Sequence, residues 1–300
     1  MSTTPTCVVC PATDQALPLC ERAPTQTPPL WEGAPAREGI PDIREQGLAP
    51  AEKNKPVLVF LHGIGGRASG WAPIQQACAA AGYTSLAWDM PGYGDSPSIA
   101  PYDFDGMADA LAALMDAQGL HTAVLVGHSL GGMVALQMWA KHPQRVAGLV
   151  LAASSPAFGH GSGDFQQTFI AQRLAPLEAG KSMADVAEGL IPTMVAPGFA
   201  GPGLAQAQAC MGSITPAAYK AALGALVQFE QRAALPTINV PTLCIAGEHD
   251  RTAAPTVVQR MADKIPNAQY QCLSGVGHLL TFEQPERFAA ALLPFLRSIS

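Results

Sequence analysis

The stretch Thr122–His142, TAVLVGHSLGGMVALQMWAKH, constrains this chain more than any other. Ala123, Val124, Leu125 and Val126 form an apolar run without polar alternation, as expected of a strand covered by helices on both faces. The pattern then changes. Gly127, Ser129 and Gly131 are spaced as GxSxG, and Met133 to Lys141, free of Gly and Pro, predicts a helix that stops at His142-Pro143. A turn this tight between strand and helix leaves no room for a Cβ at Gly127 or Gly131 and holds Ser129 in strain, with its Oγ exposed. The sequence thus predicts a hydroxyl presented at the end of a buried strand, a setting in which serine acts as a nucleophile.

A chain of 300 residues with 48% apolar content can bury one substantial core, so one large domain is expected. Charged residues make up only 13% and the net charge is −6, which argues against nucleic acid and anionic membranes as partners. No apolar run reaches the ~18 residues that span a bilayer, and MSTTPTCVVC has neither a basic start nor an apolar leader segment. The expected location is cytoplasmic. Cys78, Cys210, Cys244 and Cys272 fall in apolar or Ala-rich segments and read as small packing hydrophobes. Cys7, Cys10 and Cys20 lack a second CxxC pair and a nearby His, so they read as free thiols of a tail, and no metal or cofactor is expected.

Residues 1–50 carry Pro at 5, 11, 18, 24, 28, 29, 35, 41 and 50 and show no helical or strand period, so they read as a loop-like arm with a short edge strand at Ile43–Gly47. Val57–Leu61 is the next buried strand, ending in His62-Gly63-Ile64-Gly65-Gly66. A Gly-rich loop there supplies a backbone N–H to an oxyanion hole, with Ile64 as candidate donor and Leu130, after the serine, as the second. Ser69–Ala81 predicts a helix with Trp71, Ile74 and Cys78 on its core face. Thr84–Trp88 predicts a strand, and the acids of Asp89–Ser96 read as turn chemistry. A helix over Asp103–Gln118 precedes the serine strand, and Val146–Ala152 is a further strand with no carboxylate at its end.

From Pro156 to Leu235 strand signals disappear. Helices are predicted over Phe165–Leu174, Met183–Ile191, Gly203–Met211 and Pro216–Arg232. This reads as a helical cap (156–235) inserted between strands of an α/β core (51–155 and 236–300). Phe165, Phe169, Met194 and Phe199 are candidates for an apolar substrate pocket, together with Met183, Leu190 and Met211. Strand signals return at Pro241–Ala246, followed by Gly247-Glu248-His249-Asp250, and at Ala268–Leu273, followed by Gly275-Val276-Gly277-His278. Helices over Pro255–Lys264 and Pro285–Arg297 complete the pattern. Asp250 is the candidate acid, with Glu248 and His249 as close rivals.

Ser129, Asp250 and His278 follow one another as serine, acid and histidine, each after a predicted strand. In a mostly parallel sheet those strand ends share one edge, so the three side chains converge.

HGIGG, GHSLGG, AGEHD and GVGHLLTFEQPERF together resemble the α/β-hydrolase superfamily over roughly residues 55–300. The last segment is similar to small bacterial esterases and lactonases, among them 3-oxoadipate enol-lactonases, perhydrolases and meta-cleavage-product hydrolases. The resemblance implies an α/β-hydrolase fold, a mostly parallel sheet flanked by helices. It also implies Ser129 as nucleophile, His278 as base, Asp250 as orienting acid, and the N–H groups of Ile64 and Leu130 as oxyanion hole. Serine, rather than aspartate or cysteine, at the turn implies acyl transfer on a small, fairly apolar ester or lactone. Two alternatives remain: hydrolysis of a C–C bond in a vinylogous diketone acid, which requires a cation such as Arg67 or Arg173, and a receptor without turnover.

Overall fold

Each buried apolar run predicted as a strand is a strand in the computed structural model, which describes residues 7–10, 55–158 and 163–299. The strands are β1 (Cys7–Cys10), β2 (Leu58–Leu61), β3 (Ser85–Trp88), β4 (Ala123–His128), β5 (Val146–Ala152), β6 (Thr242–Gly247) and β7 (Gln269–Leu273). They form one sheet in the order β1-β3-β2-β4-β5-β6-β7, parallel except for β1. The absence of polar alternation now has a cause. Along β2, Leu58 and Phe60 pack in one apolar layer and Val59 and Leu61 in another, so both faces are covered. The helices over Ala72–Ala80 and Pro285–Ser298 close one face, where Trp71 and Phe288 meet edge-on at 5.9 Å. Those over Phe104–Ala117, Leu130–Lys141 and Pro255–Ala262 close the other. Asp103 caps its helix by accepting from the Gly106 N–H.

Four longer helices lie between β5 and β6, at Gly163–Glu178, Met183–Leu190, Pro202–Gly212 and Pro216–Leu226. The last ends six residues before the expected Arg232. The chain then bends, and Glu230 forms an isolated bridge to Ala157. Two further expectations are corrected. Cys7–Cys10, expected in a tail, instead forms an antiparallel edge strand on β3, with Cys7 opposite Trp88. Cys272, expected to be packed, is exposed, because β7 is the other edge of the sheet. Ile43–Gly47 and Cys20 lie outside the described residues. Among the described residues no helix is long and apolar enough to cross a membrane.

Candidate active site

The tight turn after β4 is enforced sterically. A Cβ on Gly127 would run into the carbonyl of Gly131, and one on Gly131 into that of Leu61. Between them Ser129 adopts φ 53° and ψ −117°, a region that side-chain-bearing residues avoid. The strain is held from both sides. The Ser129 N–H donates to Ala152 O at 2.8 Å, and Ser154 Oγ donates to the Ser129 carbonyl at 2.8 Å.

The loops after β6 and β7 deliver two partners. His278 Nε2 lies 3.0 Å from Ser129 Oγ, and His278 Nδ1 lies 2.8 Å from Asp250 Oδ2. A carboxylate can only accept, so Nδ1 carries the proton and Nε2 is left to accept from the hydroxyl. Asp250 Oδ1 also accepts from the N–H groups of Thr252 and Ala253 at 2.7 and 2.9 Å. Burial opposes the charge on Asp250, but the His278 imidazole and these two amides outweigh it and hold its pKa below the usual value. The rivals lie elsewhere: Glu248 accepts from the Gly275 N–H at 2.7 Å, and His249 is largely exposed.

The loop after β2 is aimed by a second histidine. Met90 N–H donates to His62 Nε2 at 3.1 Å, so Nδ1 carries the proton and donates to Gly63 O at 2.8 Å. The Gly66 N–H reaches the same carbonyl at 2.9 Å. With the Gly63 C=O held there, the Ile64 N–H in the same peptide plane points the opposite way. It finds no acceptor among the described residues. Tyr93 Oη donates to Ile64 O at 2.9 Å and fixes the far side of that residue. Leu130 is the first residue of its helix, so its N–H has no intrahelical acceptor either.

His128, next to the serine, is buried, and its Nε2–H donates to the His278 carbonyl at 2.8 Å. Burial, followed by the nearby His278 ring, pushes its pKa down to about 3, so it stays neutral. Glu283 braces the same loop. Its buried carboxylate accepts from Gly277 N–H at 3.0 Å, Leu279 N–H at 3.1 Å and Ala196 N–H at 2.8 Å. The His278 N–H in turn donates to Met194 O at 2.7 Å, tying the His278 loop to the chain between the inserted helices. Neither role was legible beforehand, since each depends on backbone groups brought near by folding.

A cavity of about 810 Å³ opens over Ser129 and His278. Of the expected pocket residues, Phe165, Phe169 and Met194 line it, as do Leu190 and Met211. Phe199 is not among its lining residues, because its ring lies against Gly201. Met183 is likewise outside it, buried in the core. Arg67 reaches the wall but is bound there: Nε and one terminal nitrogen donate to Asp89 at 3.0 Å each, and the other donates to Ser213 Oγ at 3.0 Å. Asp89 thus has a structural role, through Arg67 and the Ala68 N–H (2.7 Å) in the segment after β2 rather than through the turn chemistry expected of it. No cluster of three or more metal-ligating side chains occurs among the described residues.

A family model described as alpha/beta hydrolase fold matches residues 56–285. A protein of Variovorax paradoxus (strain S110), described as a carbamate hydrolase, RutD, is 33% identical over 254 residues, 81% of this chain and 92% of that one. The pimeloyl-[acyl-carrier protein] methyl ester esterase of Neisseria meningitidis (serogroup A, strain Z2491) is 29% identical over 71% of this chain and 68% of its own. Among solved structures, a thermophilic esterase from Thermogutta terrifontis superposes with a TM-score of 0.74 at 26% identity, covering 84% of this chain and 91% of that one.

Proposed function

The chain belongs to the α/β-hydrolase family, and from that premise we propose that it hydrolyses carboxylic esters or lactones of small, fairly apolar substrates through an acyl-enzyme on Ser129. The observation that carries this reading is the relay from Ser129 Oγ to His278 Nε2 (3.0 Å) and from His278 Nδ1 to Asp250 (2.8 Å). Ser129 Oγ attacks the ester carbon while His278 takes its proton, and the new oxyanion accepts from the N–H groups of Ile64 and Leu130. Asp250 fixes the imidazole tautomer and balances the imidazolium. His278 then protonates the departing alcohol, and water activated by the same ring releases the acid and restores the serine. In this reading residues 156–235 act as a cap on a core of 51–155 and 236–300, and Phe165, Phe169 and Met194 hold the apolar part of the substrate. The esterase likeness among relatives and solved structures supports the same chemistry.

The C–C alternative differs in the bond broken and requires a cation for the substrate's carboxylate. Of the two arginines considered, Arg67 is already bound to Asp89 and Ser213, and Arg173 lines the cavity. The deciding experiment pairs a series of p-nitrophenyl esters with a ring-fission dienoate, each on wild type and Ser129→Ala. The expected result is ester turnover that falls by roughly 10⁴- to 10⁶-fold in Ser129→Ala, with a mass increase of one acyl group on trapped wild-type protein. Consumption of the dienoate with all esters ignored would overturn the ester reading.

A further inference from the structure

The wall of the cavity has a consistent charge. Arg67, Arg173, Arg232, Arg251, Arg260 and Lys264 reach it, and no Asp or Glu does among its described lining residues, in a chain whose net charge is −6. Most of these cations are accounted for. Arg67 is bound to Asp89, Arg232 pairs with Glu230, and Arg251, Arg260 and Lys264 are solvent-exposed. Arg173 is different. It sits half-buried on the helix Gly163–Glu178, with its guanidinium 5.2 Å from the centre of the Phe169 ring. Phe169 is itself held edge-on by Phe158 at 4.9 Å. A cation held over an aromatic face does not use its N–H donors to stay there. No carboxylate pairs with it among the described residues.

A second group on the same wall is also unpaired. Tyr219, on the helix Pro216–Leu226, lines the cavity, and no protein group among the described residues hydrogen-bonds its hydroxyl. A phenol facing a cavity is available to a ligand in place of water. The two helices pack together, and Arg173 is near enough for its charge to act on the phenol. Burial nevertheless raises the Tyr219 pKa above its usual value, so the hydroxyl remains a donor.

We propose that Arg173 and Tyr219 form a binding site for a carboxylate carried by the substrate away from the scissile bond. A guanidinium with N–H donors to spare and one O–H donor match a two-oxygen monoanion. The substrate class is therefore a half-ester, or a lactone bearing a free acid: an apolar body with an ester at Ser129 and a carboxylate at the inserted helices. This rests on the ester reading for turnover but not for binding.

The test compares monomethyl esters of straight-chain dicarboxylic acids with methyl esters of monoacids of equal length. Wild type is expected to prefer the half-ester by roughly 10-fold or more in kcat/KM. Arg173→Gln lowers that preference roughly 10-fold, mainly through KM, Arg173→Lys recovers part of it, and Tyr219→Phe lowers it by a few-fold. A preference that is absent in wild type, or that survives Arg173→Gln unchanged, overturns the proposal. Binding separates this outcome from failure of the ester chemistry. Calorimetry of the half-ester with Ser129→Ala should weaken roughly 10- to 100-fold when Arg173→Gln is added. Equal binding removes the carboxylate site even if esters are hydrolysed. Weakened binding with no turnover of either ester keeps the site and removes the ester reading.

Discussion

The two walls of the cavity are built by different means. On the sheet side, positions are set by backbone: Ser129 is strained between glycines that tolerate no Cβ, and the His278 loop is pinned by Glu283, Met194 and His128. On the side of the inserted helices, the surface is made of side chains rather than backbone, several of them open: Phe165 is 52% exposed, and Leu190 and Met194 are half-buried. The division is chemically sensible. Proton transfer and oxyanion stabilisation are lost with displacements of about 1 Å, whereas an apolar body tolerates an adaptable wall. Substitutions on the sheet side should therefore act on rate or fold, and substitutions on the helix side on substrate preference.

After Ser129 itself, the largest effect expected is on the acid. Asp250→Asn keeps the shape of the loop but presents an amide to His278 Nδ1, which favours the wrong tautomer, and kcat should fall roughly 10⁴-fold with little change in thermal midpoint. A loss below about tenfold would mean that Asp250 does not set the His278 tautomer. Next is Gly131→Ala. Its Cβ would meet the backbone of Leu61 on the neighbouring strand, which cannot move without breaking the β2–β4 pairing, so a loss above about 4 kcal/mol is expected in urea unfolding. A stable, active Gly131→Ala protein would refute the steric account of the sheet-side wall.

Glu283 tests whether the two walls are coupled. Glu283→Gln leaves only one oxygen for three backbone N–H groups and turns a donor toward them. It should destabilise by about 2–3 kcal/mol and lower kcat about tenfold, with KM nearly constant. Unchanged kcat in a destabilised protein would confine Glu283 to holding the fold.

The sheet side was legible in the sequence because its signals are local. The apolar run Val146–Ala152 matches β5 residue for residue, and GxSxG between a strand and a helix fixed where Ser129 would stand. The order serine, acid, histidine was enough to bring Asp250 and His278 to it, since parallel strand ends share an edge. What was missed depends on distant partners. CVVC is four residues within a Pro-rich arm, and its strand character comes from pairing with β3, far along the chain. Phe199 looked like a pocket residue by composition, but its direction is set by the gap at Gly201. Gly224 lies inside the helix after Pro216 and does not stop it, so its end at Leu226 has no local signal; the chain turns there to bring Glu230 back to Ala157. Asp250 was the acid expected from its place after β6, and its close rival Glu248 is held at the Gly275 N–H instead.

A smaller effect should appear in the pH dependence of stability. His128 is buried neutral with a pKa of about 3, whereas the unfolded residue titrates near 6.5. Between those values the unfolded chain binds the extra proton, so stability falls as pH falls through this window, by up to ~1.4 kcal/mol per pH unit. Asp250, with its lowered pKa, adds acid sensitivity in the same direction. Comparing urea midpoints of wild type and His128→Gln from pH 7 to 4 isolates the histidine. The variant should be less stable at pH 7, having lost the bond to the His278 carbonyl, and its slope should be shallower. Parallel slopes would mean that His128 is protonated in the folded state.

The smallest effect marks the other wall. Half of Phe165 is already in water and its ring touches Phe158 only at a 5.9 Å centroid separation, so Phe165→Ala should change stability by no more than about 0.5 kcal/mol. A long acyl chain that covers the exposed half of the ring gains about 1 kcal/mol, so KM for long-chain esters should rise about fivefold while short-chain esters are hydrolysed as before. The sign of the comparison depends on this contrast. If kcat for a short ester fell along with the long-chain KM, the helix-side wall would be positioning the reacting atoms, and the separation between a rigid sheet side and an adaptable helix side would not hold.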